Sequence, residues 1–244
     1  MQDEVSKHTK KIFKTMSDKK HSFSDKVKEI TFEILIIVFA VTLSIKLHEW
    51  SEHRHQQQEV KEFLSDLHED LKEDIESLKS TKNQLIETQK DKSYVFSITE
   101  AKFDSLRKSK DSINFKSNFE SKIPTIGITR NNISGNYEGF KSSGKIGYIE
   151  NKKIKKLMLK YYQQLIPTMT EAEKYYNLNL SNTGDAIAEL SGNGKKGKEI
   201  IYNPKFRFFF NATLVWASTN QNSYDDIIKI AQELDVEILK EIKK

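Results

Sequence analysis

The stretch ILIIVFAVTLSI, residues 34–45, carries no charge in a chain of 244 residues that is 31% charged. A soluble core helix of this length keeps a polar face, but Leu35, Ile36, Ile37, Val38, Phe39, Ala40 and Val41 occupy every face in turn. A helix apolar all round is either deeply buried or in lipid. With 36% hydrophobic residues and a mean hydropathy of −0.65, the chain has little with which to bury it. With its flanks the run covers residues 30–47, interrupted only by Glu33 and Lys46. As a helix it is about 27 Å long, close to the ~30 Å thickness of a hydrocarbon core. Both charges lie within one turn of an end and can reach the interface. The sequence therefore predicts a membrane-spanning helix in which Ile34, Leu35, Ile36, Ile37, Val38, Phe39, Val41, Leu43 and Ile45 face lipid. Trp50 stands where an aromatic anchor meets the interface. The following KLHEWSEHRH lacks a small-residue cleavage pattern, so the run reads as an uncleaved anchor rather than a signal peptide.

Working outward, residues 1–29 carry Lys7, Lys10, Lys11, Lys14, Lys19, Lys20, Lys26 and Lys28, whereas residues 48–67 carry only Arg54 and Lys61. This asymmetry predicts a basic cytoplasmic tail, 1–29, ahead of the membrane helix, 30–47, with the remainder outside. In a double-membrane bacterium that is an inner-membrane protein with a periplasmic domain. The net charge of +5 is too small to argue for nucleic acid, and the absence of cysteine excludes disulfides and thiolate metal sites.

Beyond the membrane run, EVKEFLSDLHEDLKEDIESLKSTKNQLIETQ, residues 59–89, places Leu64, Leu71, Leu78 and Leu85 seven apart, with Val60 and Leu67 at the companion position. This is a coiled-coil seam, and it predicts homo-oligomerisation through those six residues. The companion series then fails at Asp74 and Thr81, while Ile75 and Ile86 widen the stripe, which also suits packing within one chain's helical bundle. All nine glycines and all three prolines lie beyond residue 123. They divide a helical stalk, 48–122, folded as a hairpin whose return helix covers 97–120 through Ile98, Phe103, Leu106 and Ile113, from a punctuated head, 123–244. In the head, Asn151 caps a helix carrying Ile154, Leu157, Tyr161 and Leu165, another helix covers 168–180, and the stretch from Lys205 onward is one long helix or two broken near NQNS, residues 220–223. The predicted fold class is all-α.

Two motifs carry a resemblance. EWSEHR, Glu49 to Arg54, follows the apolar run, and NYEGFKSSGKIGYIENKKIKKLMLKYY, Asn136 to Tyr162, opens the head. With these the chain resembles an uncharacterised family of single-pass membrane proteins abundant in Bacteroidota. That family has an apolar helix closing on a Trp-x-Glu-x-Arg motif, a charged heptad stalk, and a Tyr-Glu-x-x-Lys-Ser-Ser-Gly motif in its head. Trp50, Glu52, Arg54, Tyr137, Glu138, Ser142, Ser143, Gly144 and Asn151 carry the match. The resemblance implies a membrane-anchored helical protein and no particular activity.

Candidate sites are few. His48, Glu52 and His55 share a helix face at a spacing that suits zinc or copper, but His53 and Gln56 to Gln58 mark a generally polar turn. Glu33, an acid inside the apolar run, is a candidate intramembrane ion or proton site, and in an oligomer it lines a pore mouth. GNGKKGKE, Gly192 to Glu199, nearly spells a phosphate-binding loop, yet Glu199 stands where magnesium needs a hydroxyl. It reads as a flexible basic loop, or as a contact for an anion or lipid headgroup. Ser142 and Ser143 precede Gly144, but no histidine exists beyond residue 68 to serve as a base, so they read as a helix-ending turn. FRFFFNATLVW, Phe206 to Trp216, reads as head core or as a partner-binding groove.

The sequence thus predicts a non-enzymatic scaffold, adaptor or sensor with no cofactor. Its expected partners are the lipid bilayer, copies of itself, and another membrane or periplasmic protein. The alternatives are a membrane-permeabilising effector or channel subunit assembled through residues 30–47, and, disfavoured for want of a base–nucleophile pair, a periplasmic enzyme.

Overall fold

A computed structural model of the chain describes residues 2–17, 23–109, 111–123, 127–130 and 133–244. Lys19, Lys20 and Pro124 lie outside the described residues. The chain forms two units, residues 1–59 and residues 60–244. Among the described residues every regular element is helical, as the sequence predicts.

The first unit holds α1 (Gln2–Ser17) and the beginning of α2 (Phe23–Ser97). No glycine or proline interrupts residues 23–97, so nothing in the backbone stops the second helix. It is long and apolar enough to cross a membrane, and only 6% of its most apolar eighteen-residue window is buried. Ile34, Leu35, Val38, Phe39, Val41, Leu43, Ile45 and Trp50 are exposed, and Ile36 and Ile37 are half-buried.

The second unit contains the rest of α2 with α3 (Glu100–Arg107), α4 (Ser112–Glu120), α5 (Gly135–Ser142), a 3-10 turn (Lys145–Tyr148), α6 (Lys152–Lys160), α7 (Ile166–Gly192), α8 (Lys198–Ile201) and α9 (Pro204–Ile242). Contacts along α2 give the topology. His68 meets Asp235, Lys82 meets Asp225 at 2.6 Å, Gln89 meets Gln221, and the Phe96 carbonyl accepts from Arg207 at 3.4 Å. Partner numbers fall as α2 rises, so α9 runs antiparallel to it. Tyr161 meets Asp74 and Tyr176 meets Lys92, so the α6–α7 segment runs parallel to α2. The result is a three-helix bundle.

Val60, Leu64, Leu67, Leu71, Leu78 and Leu85 are all buried in one core with residues of α5, α6, α7 and α9. The seam read as an oligomerisation face is therefore covered by the chain's own helices. Its wide stripe serves two neighbours at once, which is why Ile75 is buried as well. For the same reason residues 60–122 and 123–244 are not separate stalk and head: they share that core. The return helix expected over 97–120 is instead two short helices. Phe103 and Phe119 turn inward, while Ile113 is 84% exposed. The C-terminal segment is one helix, unbroken at residues 220–223, capped by the Asn203 side chain accepting from Lys205 N at 2.9 Å.

Leu71 and Ile113 separate these readings. Leu71→Ala should cost roughly 2–5 kcal/mol, as buried leucine truncations do, whereas Ile113→Ala should leave the thermal unfolding midpoint unchanged. Circular-dichroism melts of the two variants check this, and a loss at Ile113 as large as that at Leu71 would restore the single return helix.

Candidate functional site

The most unusual feature of the second unit is a set of charges sealed inside it. Asp74 is the first residue to break the companion series of the seam. It occupies a core position on α2, and its side chain is buried. The Arg130 guanidinium faces it, with Nη1 at 3.5 Å from Oδ1, a Coulombic contact without hydrogen-bond geometry. Arg130 also donates through Nε to Glu173 Oε1 at 3.0 Å and through Nη2 to Oε2 at 3.4 Å. Two hydroxyls complete the shell: Tyr161 donates to Asp74 Oδ2 at 2.5 Å, and Tyr224 to Glu173 Oε1 at 2.7 Å. Buried charges persist only when paired and hydrogen-bonded. Even so, burial pushes the Asp74 carboxyl above the usual range, opposed by Tyr161 and Arg130.

Local backbone places each member. Arg130 comes from an irregular segment held by the Asn177 side chain, which accepts from Ile128 N and donates to Ile128 O, both at 2.8 Å. Gly127 makes room for that clamp, since a Cβ there would stand 2.6 Å from Asn177 Oδ1. Tyr161 and Tyr162 are consecutive yet both buried, which α-helical spacing does not allow on a narrow face. They lie in a π-helical turn, Tyr161–Leu165, just before Pro167. Proline has no N–H to donate to the Gln163 carbonyl, and the turn widens there.

The second motif of the sequence surrounds this cluster. Tyr137 stacks on Tyr162 at 4.4 Å and accepts from Gln163 at 2.8 Å; Phe140 stacks on Phe63 at 3.9 Å. Asn151 caps α6 through Lys153 N and Ile154 N and reaches Glu241 at 2.6 Å. Ser142, Ser143 and Gly144 make the turn that ends α5, with Gly144 at a φ of +77°. The motif is thus a packing and capping signature that reaches Asp74 through Tyr161, a role its residue types did not reveal.

Lys92, also on α2, is fully buried. Its ammonium lies over the Tyr176 ring at 4.8 Å, 3.3 Å from that phenol oxygen, and 5.9 Å from the Phe210 ring. Burial depresses it from its ordinary 10.5 to about 7.

The other candidates are scattered. Glu33 is enclosed by α1, with His8 Nδ1 at 2.5 Å from Oε2 and Lys11 paired with Oε1. His48 stands 4.0 Å from Glu52, while His55 turns to Glu59 at 3.7 Å, so the three do not converge. Among the described residues no three His, Cys, Asp or Glu side chains are grouped to hold a metal. Arg54 lies over Trp50 at 5.0 Å, which explains that pair of the first motif. The Phe206–Trp216 stretch divides: Phe206 and Phe210 are core, while Phe208 is 68% exposed.

The chain matches DUF6090, a family of unknown function, over residues 33–216 and belongs to it. No curated protein and no solved structure matches the chain. The matched span includes Asp74, Arg130, Tyr161 and Glu173 and stops short of Tyr224.

Arg130→Met leaves two carboxylates buried around one lost cation and should cost about 3–5 kcal/mol in denaturant unfolding. Replacing Asp74, Arg130 and Glu173 together by leucine or methionine, with Tyr161→Phe and Tyr224→Phe so that no hydroxyl loses its acceptor, should recover most of that loss. For Lys92 the sign is set by its depressed value. Between about 7 and 10.5 the unfolded chain holds a proton the folded chain lacks, so stability rises with pH through that window. From pH 7 to 9, below the range where tyrosines ionise, the gain is on the order of 2 kcal/mol. Lys92→Met should be more stable at pH 7 and should flatten that rise.

Proposed function

We propose that the protein is a non-enzymatic, membrane-anchored helical protein that acts as an oligomeric scaffold, adaptor or sensor. The observation that carries the anchor is the contrast within α2. Its leucine seam from Val60 onward is buried by the protein, whereas most of the apolar residues of 34–45 are left exposed by it. Exposing so many large apolar side chains to water is unfavourable by roughly 1.5–3 kcal/mol each, and a bilayer removes that cost. Orientation follows from the lysine-rich tail: N-terminus cytoplasmic, residues 60–244 on the periplasmic side of a bacterial inner membrane.

Self-association then needs a surface other than the leucine seam. Tyr175 and Leu178 on α7 and Phe208 and Val215 on α9 are exposed, and Tyr175, Phe208 and Val215 line one groove of about 400 Å³. An apolar patch of this kind on an otherwise charged surface is the expected contact for a second copy. The Lys11 and His8 contacts to Glu33 count against the pore reading, since an intramembrane acid already paired within its own chain is poorly placed to line a pore.

Two measurements test this. The chain has no cysteine, so single replacements at Lys7 and Lys153 can be labelled with a membrane-impermeant maleimide. Lys153→Cys should react once the outer membrane is permeabilised, and Lys7→Cys only after the inner membrane is opened; equal labelling of both would defeat the anchor. The mass of the detergent-solubilised full chain should exceed one copy and fall to one copy in Phe208→Asp. A monomeric wild type would remove the scaffold reading.

A further inference from the structure

At the end of the second unit where α2 gives way to α3, the second core cluster is open to solvent through a cavity of about 620 Å³. That volume is within the range of small-molecule sites. Its inner wall is aromatic and aliphatic. Phe103, Phe115 and Phe119 meet one another edge-on or tilted at centroid distances of 5.2–5.6 Å, and Ile200 and Ile201 close the side. Its rim is basic, with Arg107 from the end of α3 and Lys195 and Lys196 from the turn between α7 and α8. Of the nearby acids, Asp104 binds Lys198 at 2.7 Å, and Glu199 binds Lys195 at 3.1 Å and accepts from Lys196 N at 3.4 Å. Among the described residues no carboxylate forms an ion pair with Arg107 or Lys196. A deep apolar chamber alone would suit any small hydrophobe. A chamber whose mouth carries Arg107, Lys195 and Lys196, cations in excess of the acids beside them, selects a molecule with an apolar body and one anionic end.

We propose that this cavity binds a monoacyl anion, its hydrocarbon chain against Phe103, Phe115 and Phe119 and its carboxylate or phosphate between Arg107 and Lys196. The basic GNGKKGKE loop, which at Glu199 lacks the hydroxyl a nucleotide loop needs for magnesium, then supplies one wall of the headgroup site. The site lies wholly within residues 60–244 and does not depend on how the chain is oriented in a membrane. Both a free fatty acid and a lysophospholipid offer this chemistry.

The test uses the full chain in nanodiscs of zwitterionic lipid, with empty discs subtracted, and dansyl-undecanoate as the fluorescent probe. Saturable binding with a blue-shifted emission is expected. Competition then identifies the source: displacement by palmitate alone assigns a fatty acid, and displacement by lysophosphatidate, with or without palmitate, extends the site to phosphate headgroups. Arg107→Ala/Lys196→Ala should weaken binding about ten-fold or more, the loss of charge-assisted hydrogen bonds. Its helical signal and melting should not change, because both side chains are at the rim. The proposal fails if hexadecanol displaces the probe as well as palmitate does, since the cations then select nothing. It fails equally if inorganic phosphate displaces the probe, since the chain is then not recognised, or if the double variant binds like wild type.

Discussion

A guanidinium enclosed between two carboxylates cannot be left half-paired, and Arg130 imposes that condition on the second unit. Its partners come from α2 and α7, and the hydroxyls that finish the shell come from the π-turn and α9. Burying any one of these charges alone costs several kcal/mol. The segments therefore assemble together around Arg130 or leave a charge stranded. This explains the local oddities nearby. The Asn177 clamp, the Cβ-free backbone at Gly127 and the widened turn before Pro167 each fix the position of one member.

Lys92 shows the opposite arrangement on the same helix. Two aromatic rings offer it a partial substitute for a counter-charge, but burial outweighs them and lowers its affinity for a proton. The Arg130 cluster keeps its ions by pairing them; the Lys92 site lowers the cost of burial by favouring the neutral amine. Together they make α2 polar at chosen depths along an otherwise leucine-lined face, a register device that a uniform apolar seam lacks.

The long helix also changes its surroundings along its length. Residues 34–45 are apolar on all faces and are left exposed by the chain, whereas from Val60 onward the apolar residues form a stripe that α7 and α9 cover. With the stripe consumed internally, the apolar surface open on the second unit includes the α7–α9 face around Tyr175 and Phe208 and the mouth of the phenylalanine-lined cavity. Both are products of packing, since each joins segments far apart in sequence.

What the sequence determined by itself is local. Periodicity and the absence of glycine and proline before residue 123 settle that the chain is helical, and the all-round apolarity of 34–45 sets that run apart. The Asn151 cap and the Gly144 turn follow from side-chain and backbone chemistry within a few residues. Asp74 was visible as a polar residue at a core position, and Tyr161 as a member of an apolar helix face. Arg130 and Glu173 gave no such signal, because an arginine in an irregular segment and a glutamate on a helix look like surface until their partners are known. Whether the leucine seam met another chain or this one was likewise undecidable from spacing, since both offer the same apolar stripe. Tertiary structure decided these points for one physical reason. Pairing and burial depend on which distant segments converge, and a heptad pattern specifies a face without specifying what covers it.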